Sequence, residues 1–179
     1  MEPSKYELKN GPVLLIREAV VQDARAILDY LEQMSGESDF LTFGPGEFEL
    51  TEAEEEDFLR KYRDSDNQLY ILGLIDDTIV STLIFSAGRR RRVRHSGEFS
   101  MSVRKHYWGL GIGSLMLDTL IGWARATEIV KKINLRVRTD NQHAIHLYER
   151  KGFVKEGTIR KEIFLDGTYF DQHWMGLEL

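Results

Sequence analysis

Three glycines alternate through Trp108-Gly109-Leu110-Gly111-Ile112-Gly113, between an apolar segment and a long amphipathic one. Upstream, Phe99-Ser100-Met101-Ser102-Val103 reads as a strand, and downstream the apolar period predicts a helix over about 112–127. This order constrains the fold because a helix start carries unpaired N–H groups and the positive end of the dipole. Glycine lets the main chain come close to a ligand, so such a loop can hold a pyrophosphate with backbone donors alone. The common nucleotide motifs fit poorly. Counting on from Gly109 or Gly111 puts Ser114 or Met116 where G-x-G-x-x-G needs its third glycine, and no Gly-Lys-Ser/Thr follows. A helix start that uses its glycines only for tight packing is the alternative.

The chain has 179 residues, within the range of one domain with a real core. Its apolar and charged fractions, 42% and 30%, are those of a folded globular protein, and the net charge is −5. No apolar run approaches the roughly 20 residues of a membrane helix, so no membrane partner is expected. Met1-Glu2-Pro3-Ser4-Lys5 lacks a secretory pattern, and a cytoplasmic location is the expectation. The absence of cysteine excludes disulfides, thiolate metal sites and a Cys nucleophile. Of the five histidines only His143 and His146 share helical spacing, which is a poor zinc set, so no metal is expected.

Apolar residues 13–17 predict a first strand, and Ala24, Ile27, Leu28 and Leu31 predict a helix over 23–34. Glycines 36, 44 and 46 with Pro45 predict a loop over 35–50. Thr51 with Glu54 forms a capping box that opens a second helix, with Phe58 and Leu59 on its buried side. Strands over 69–75 and 78–86 turn at Asp76-Asp77, and a charged connection over 88–97 leads to the strand before the glycine loop. Ile133, Leu135 and Val137 alternate as another strand. A helix over 141–151 ends at Gly152, and Asp166-Gly167 closes a hairpin between strands over 158–165 and 168–177. The expectation is one α+β domain, residues 1–179, with a mixed sheet.

That order, the glycine loop and the helix Asn141-x-x-Ala144-x-x-Leu147-Tyr148-Glu149-x-x-Gly152-Phe153 together resemble the GNAT superfamily of acyl-CoA-dependent N-acetyltransferases. Trp108 stands where the family's loop usually starts with Gln or Arg. This departure, with Glu156-Gly157, Arg160, Asp166-Gly167, Tyr169, Asp171 and Met175, resembles the branch that includes ribosomal-protein alanine acetyltransferases. The resemblance implies a three-layer fold whose mostly antiparallel central sheet is flanked by helices. It implies acetyl-CoA as co-substrate, with its pantetheine arm along the main chain of Met101, Ser102 and Val103. The pyrophosphate would lie on the segment of Trp108, Gly109, Leu110, Gly111, Ile112, Gly113 and Ser114. Losing a polar side chain at Trp108 shifts the phosphates toward main-chain donors and Ser114, with Arg104 and Lys105 near enough to compensate. Asn141 is a favoured N-cap, and the family also brings it, with Ala144, against the pantetheine.

The implied reaction is direct attack of a primary amine on the thioester, with departure of the CoA thiolate, in a ternary complex. Tyr148 is the candidate acid, since a phenol is protonated at neutral pH and needs no tuning to donate to sulfur. Glu98 is the candidate base, on one strand face with Ser100 and Ser102, or else a structural carboxylate. Neutralising a lysine-like amine at pH 7 costs ~4.6 kcal/mol, an α-amine only ~1–1.4 kcal/mol, so a weak base suffices for the latter alone. The acceptor is an amine, either a small molecule or a protein N-terminus. The alternative reading is a sensor that binds acetyl-CoA without turnover.

Two charge patches frame the acceptor question. Residues 36–66 carry eleven acidic side chains against three basic ones, which suits a cationic acceptor or simply a solvated helix start. Phe40, Phe43 and Phe48 line the same region or pin the loop. The arginines at 89–92 and 94 lie on a turn without aromatic interleaving in an acidic chain, so a nucleic-acid partner is not expected. A homodimer is left open.

Overall fold

The computed structural model describes all residues except Asn10 and Phe48, so the Phe48 expectation falls outside the described residues. Among the described residues the strands are β1 (Ser4–Glu7), β2 (Val13–Glu18), β3 (Gln68–Ile75), β4 (Thr78–Ala87), β5 (Ser96–Val103), β6 (Lys132–Arg138), β7 (Val154–Leu165) and β8 (Thr168–Glu178). The α-helices are α1 (Ala24–Ser35), α2 (Glu52–Arg63), α3 (Ile112–Ala126) and α4 (Gln142–Arg150). They build one sheet in the order β1-β2-β3-β4-β5-β6-β8-β7, antiparallel at every contact except β5 with β6.

The turns follow from their residues. Asp76 and Asp77 take φ of 48° and 60°, and Asp166-Gly167 takes 47° and 78°, the left-handed pairs that tight hairpins need. Thr51 caps α2, accepting from the Glu54 N–H, while the Glu54 carboxylate takes the Thr51 N–H. Gly152, with φ of 90°, ends α4 as the sequence predicts.

Two apolar clusters sandwich the sheet. On one face, Ala24, Ile27, Tyr30, Leu31 and Met34 of α1 and Leu59 and Tyr62 of α2 pack on Tyr70, Leu72 and Leu74. On the other, Ile112, Met116, Leu117 and Leu120 of α3 and Ile145 and Tyr148 of α4 pack on Leu83, Phe85, Phe99, Ile133 and Leu135. This is the expected three-layer α+β arrangement.

Three differences from the sequence reading matter. The short edge strand β1 has no periodic signal of its own and is recruited by β2. The connection before β5 is shorter than predicted, because pairing of Ser96, Gly97 and Glu98 with β6 draws them into the strand. The pairing of β5 with β6 then stops at Glu98–Asn134, and the two strands part. That gap positions everything below.

Candidate active site

The gap follows from a mismatch of partners. β4 holds β5 from Gly97 to Val103, whereas β8 holds β6 from Lys132 to Arg138, so beyond Glu98 the two strands follow different neighbours. The Arg104 N–H donates to the Val80 carbonyl, and from that pair antiparallel alternation turns the main-chain groups of Met101 and Val103 outward into the gap. Ser102 faces the other way. Its carbonyl accepts from the Ser81 hydroxyl at 2.8 Å, and its own hydroxyl bonds Tyr30 and Thr82 at 2.9 and 3.0 Å.

The glycine loop closes one end of the gap. Gly109 and Gly111 have φ of 79° and 89°, which L side chains rarely adopt, and Gly111 is the residue preceding the first turn of α3. Among the described residues no side chain caps α3, so the first-turn N–H groups at Ile112, Gly113 and Ser114 have no capping partner there. A Cβ at Gly113 would come within 3.1 Å of Leu147 and 3.4 Å of Met101, so glycine lets β5, α3 and α4 converge here. These are the properties an anion cradle requires.

Trp108 has a role the sequence does not reveal. Its indole N–H donates to the Val103 carbonyl at 2.7 Å, tying the loop to the end of β5 while the ring stays 46% exposed. The Arg104 side chain does not turn to the loop. The Arg104 guanidinium bonds Gln33 and lies over the Tyr30 ring, and the Lys105 main-chain N–H donates to the Glu37 carboxylate.

Tyr148 lies on the α3/α4 side of the gap. Its ring meets Phe99 and Phe153 at centroid distances of 5.8 and 6.0 Å, nearly edge-on. Burial pushes its phenol up to about 12, and among the described residues its hydroxyl has no hydrogen-bond partner. A neutral donor is therefore held at the gap without competition. Asn141 caps α4, its Oδ1 accepting from the Ala144 N–H at 3.2 Å, which leaves the amide NH₂ unspent. Ala144 and Leu147 pack against the same cluster as Tyr148.

Glu98 stands on the opposite face, since strand alternation separates it from Phe99. It is ion-paired. Arg136 Nε lies 2.7 Å from Oε1 and a second nitrogen 3.4 Å from Oε2, and Arg136 also reaches Glu162 at 3.2 Å. Tyr148 and Glu98 are thus brought to one opening from two sides of the sheet.

Arg138 was not singled out by sequence reasoning. It is 6% exposed, chelates Asp140 at 2.6 and 3.0 Å, donates to the Asp39 carbonyl at 2.7 Å, and sits between the rings of Phe170 (3.8 Å) and Phe40 (4.9 Å). The Arg138 hydrogen bond holds the Asp140 carboxyl below its ordinary range. The available signal was Arg-x-Asp at the end of an otherwise alternating strand. Phe40 therefore pins the loop through Arg138, while Leu41 and Phe43 pack near α2.

The acidic segment is mostly solvated, with Arg60 pairing Glu56 and Asp57. Glu55 is the exception, at 2% exposure. The arginine turn lies at the other end of the sheet, in a groove with Lys61, Asp64 and Asp66, where Arg94 pairs Asp66. Among the described residues no cluster of metal-ligating side chains occurs, and no helix is long and apolar enough to cross a membrane.

The profile of the acetyltransferase (GNAT) family matches residues 29–153, which contain the gap, the glycine loop, Asn141 and Tyr148. The chain belongs to the GNAT family. A GNAT acetyltransferase from Streptococcus pneumoniae superposes with a TM-score of 0.90 at 38% identity, over 93% of this chain and 99% of that one. The ribosomal-protein-alanine N-acetyltransferase of Brucella melitensis superposes with a TM-score of 0.78 at 23% identity, over 92% and 99%, a likeness of fold. The spermidine N(1)-acetyltransferase of Vibrio cholerae is 32% identical over 79 residues, 44% of this chain and 46% of that protein. The match thus spans about half the length of this curated relative.

Proposed function

We propose that residues 1–179 form one acetyl-CoA-dependent N-acetyltransferase domain that moves the acetyl group to a primary amine. The parting of β5 from β6 beside an uncapped, glycine-led helix start carries this reading. It offers an extended main-chain edge for an amide-bearing arm and free N–H groups for a pyrophosphate. The pantetheine amides pair with the outward groups of Met101 and with the Val103 N–H, since the Val103 carbonyl already accepts from Trp108, and Ser102 supports that edge from the β4 side. The diphosphate rests on the amides of Gly109, Leu110, Gly111, Ile112, Gly113 and Ser114, with Trp108 fixing the loop. The Asn141 amide and Ala144 complete the groove.

The thioester then threads the gap, with sulfur toward Tyr148 and the carbonyl carbon toward the face of Glu98. The amine attacks that carbon, and the C–S bond breaks as the tetrahedral centre collapses. Tyr148 gives its proton to the departing thiolate. Glu98 takes the amine's proton through water on lone pairs that Arg136 leaves free. The unpartnered Tyr148 hydroxyl supports turnover over a sensor.

Calorimetry with CoA, followed by thiol release from acetyl-CoA over a panel of amines, tests the reading. Binding together with acetylation of at least one amine is the expected result. Binding with a silent panel would indicate a sensor, and no heat from CoA would remove the proposal altogether.

A further inference from the structure

Glu55 follows the capping turn of α2, one turn before Phe58 and Leu59 and two before Tyr62, on the stripe that α2 buries. At 2% exposure its Oε1 has no hydrogen-bond partner among the described residues. The hydroxyl of Tyr70, 3% exposed, has none either. Buried polar atoms are nearly always paired, so two orphans in one cluster point to something that pairs them. The Tyr70 ring is boxed by Phe58 and Tyr62, each at a centroid distance of 6.2 Å, and those two rings are 4.4 Å apart. Aromatic faces around one carboxyl are the chemistry that holds an alkylammonium.

The cluster adjoins the gap. Tyr70, Ile84 and Ser100 are register partners on β3, β4 and β5, so their side chains share the α1/α2 face, and Ser100 lies at the edge that β6 leaves. Two strand spacings, about 10 Å, separate Tyr70 from that edge. Leu41, Phe43, Phe58 and Ile84 are only partly buried around the same cluster.

We propose that Glu55 and Tyr70 form an alkylammonium subsite that selects cationic acceptors. The proposal rests on the acetyltransferase reading above. An ammonium donates one N–H to Glu55 Oε1 and another to the Tyr70 oxygen, and both orphans are satisfied. Around the pair stand Tyr62 on α2, Tyr30 on α1 and Asp23 before α1, the last ion-paired with Arg17, while Arg89 acts on Tyr62 from the C-terminal end of α2. Burial pushes the empty Glu55 carboxyl up to about 7, so an arriving cation also draws it into its ionised form. Acceptor binding then releases a proton below neutrality and tightens as pH rises.

The test is titration of 1,5-diaminopentane into the CoA-saturated protein at pH 6 and pH 8, in wild type, Glu55→Gln and Tyr70→Phe. The diamine is fully charged at both values, so any pH effect belongs to the protein. Wild type should bind it roughly tenfold tighter at pH 8 than at pH 6. Both variants should bind at least tenfold more weakly, and Glu55→Gln should lose the pH dependence. Equal diamine affinity in folded variants, or no binding by wild type, overturns the subsite. Tyr70→Phe removes one hydroxyl and carries the same readout should Glu55→Gln fail to fold. A parallel CoA titration separates the two ideas. Loss of CoA binding in wild type strikes the acetyltransferase reading, and the diamine titration repeated without CoA still decides the subsite.

Discussion

The two faces of the sheet solve different problems with different parts of the chain. On the α3/α4 face the proposed coenzyme groove is built mainly from main chain, glycines and three packed rings, with the Tyr148 hydroxyl and the Asn141 amide as its polar side-chain groups. On the α1/α2 face, polar side chains dominate, most of them buried: Tyr30, Ser102 and Thr82 in a hydrogen-bonded chain, Glu55 and Tyr70 unpaired among the described residues, Arg138 in a buried ion pair and Glu98 in a half-exposed one. A face that meets one invariant ligand can rely on backbone geometry. A face that must choose a ligand needs buried functional groups, and it gives up stability to hold them.

Substitutions can break or sharpen that contrast. Arg138→Ala should cost about 3 kcal/mol, the sum of two ring contacts and the bonds to Asp140 and Asp39, read as a lower denaturant midpoint. It should also loosen residues 36–50 and raise the KM for the amine more than that for acetyl-CoA. Glu55→Gln should act in the opposite sense. A carboxyl raised from about 4.5 to about 7 in the fold favours the native state fully below the unfolded value, and that advantage is lost as pH climbs through 7. The glutamine variant should therefore gain on the order of 2 kcal/mol over wild type at pH 9 and little at pH 4, by thermal melting at both values. Tyr148→Phe should lower turnover at least tenfold, ~1.4 kcal/mol, with CoA affinity and melting temperature held, because its hydroxyl bonds nothing in the fold. Wild-type turnover in that variant would take the acid role from Tyr148. The smallest effect belongs to Gly113→Ala, where Leu147 must give by a few tenths of an ångström, for roughly a threefold weaker Kd for CoA.

The same contrast sets what could be read from sequence. Elements with a period or a cap were legible: α2 from Thr51 and Glu54, α4 from Asn141 to Gly152, both aspartate-led hairpins, and the glycine loop. The groove on the α3/α4 face was legible too, because left-handed glycines and a helix start announce themselves locally. The gap was not, since it arises from β6 choosing β8 as its partner, a long-range pairing. Glu55 read as one more acid in a solvated run, although the helical period puts it one turn before Leu59 on the side that α2 buries. Glu98 was visible on its strand, but Arg136, 38 residues away, was invisible as its partner. Arg138 escaped for the same reason, as both of its rings and the Asp39 carbonyl come from distant segments.

The tie between the Trp108 indole and the Val103 carbonyl has a practical consequence. That indole is 46% exposed and borders the segment proposed to close on the diphosphate, whereas Trp123 and Trp174 are less exposed. The chain therefore carries its own optical reporter. Emission from this fluorophore should shift toward the blue as coenzyme saturates the groove, and replacing it with phenylalanine should silence the signal.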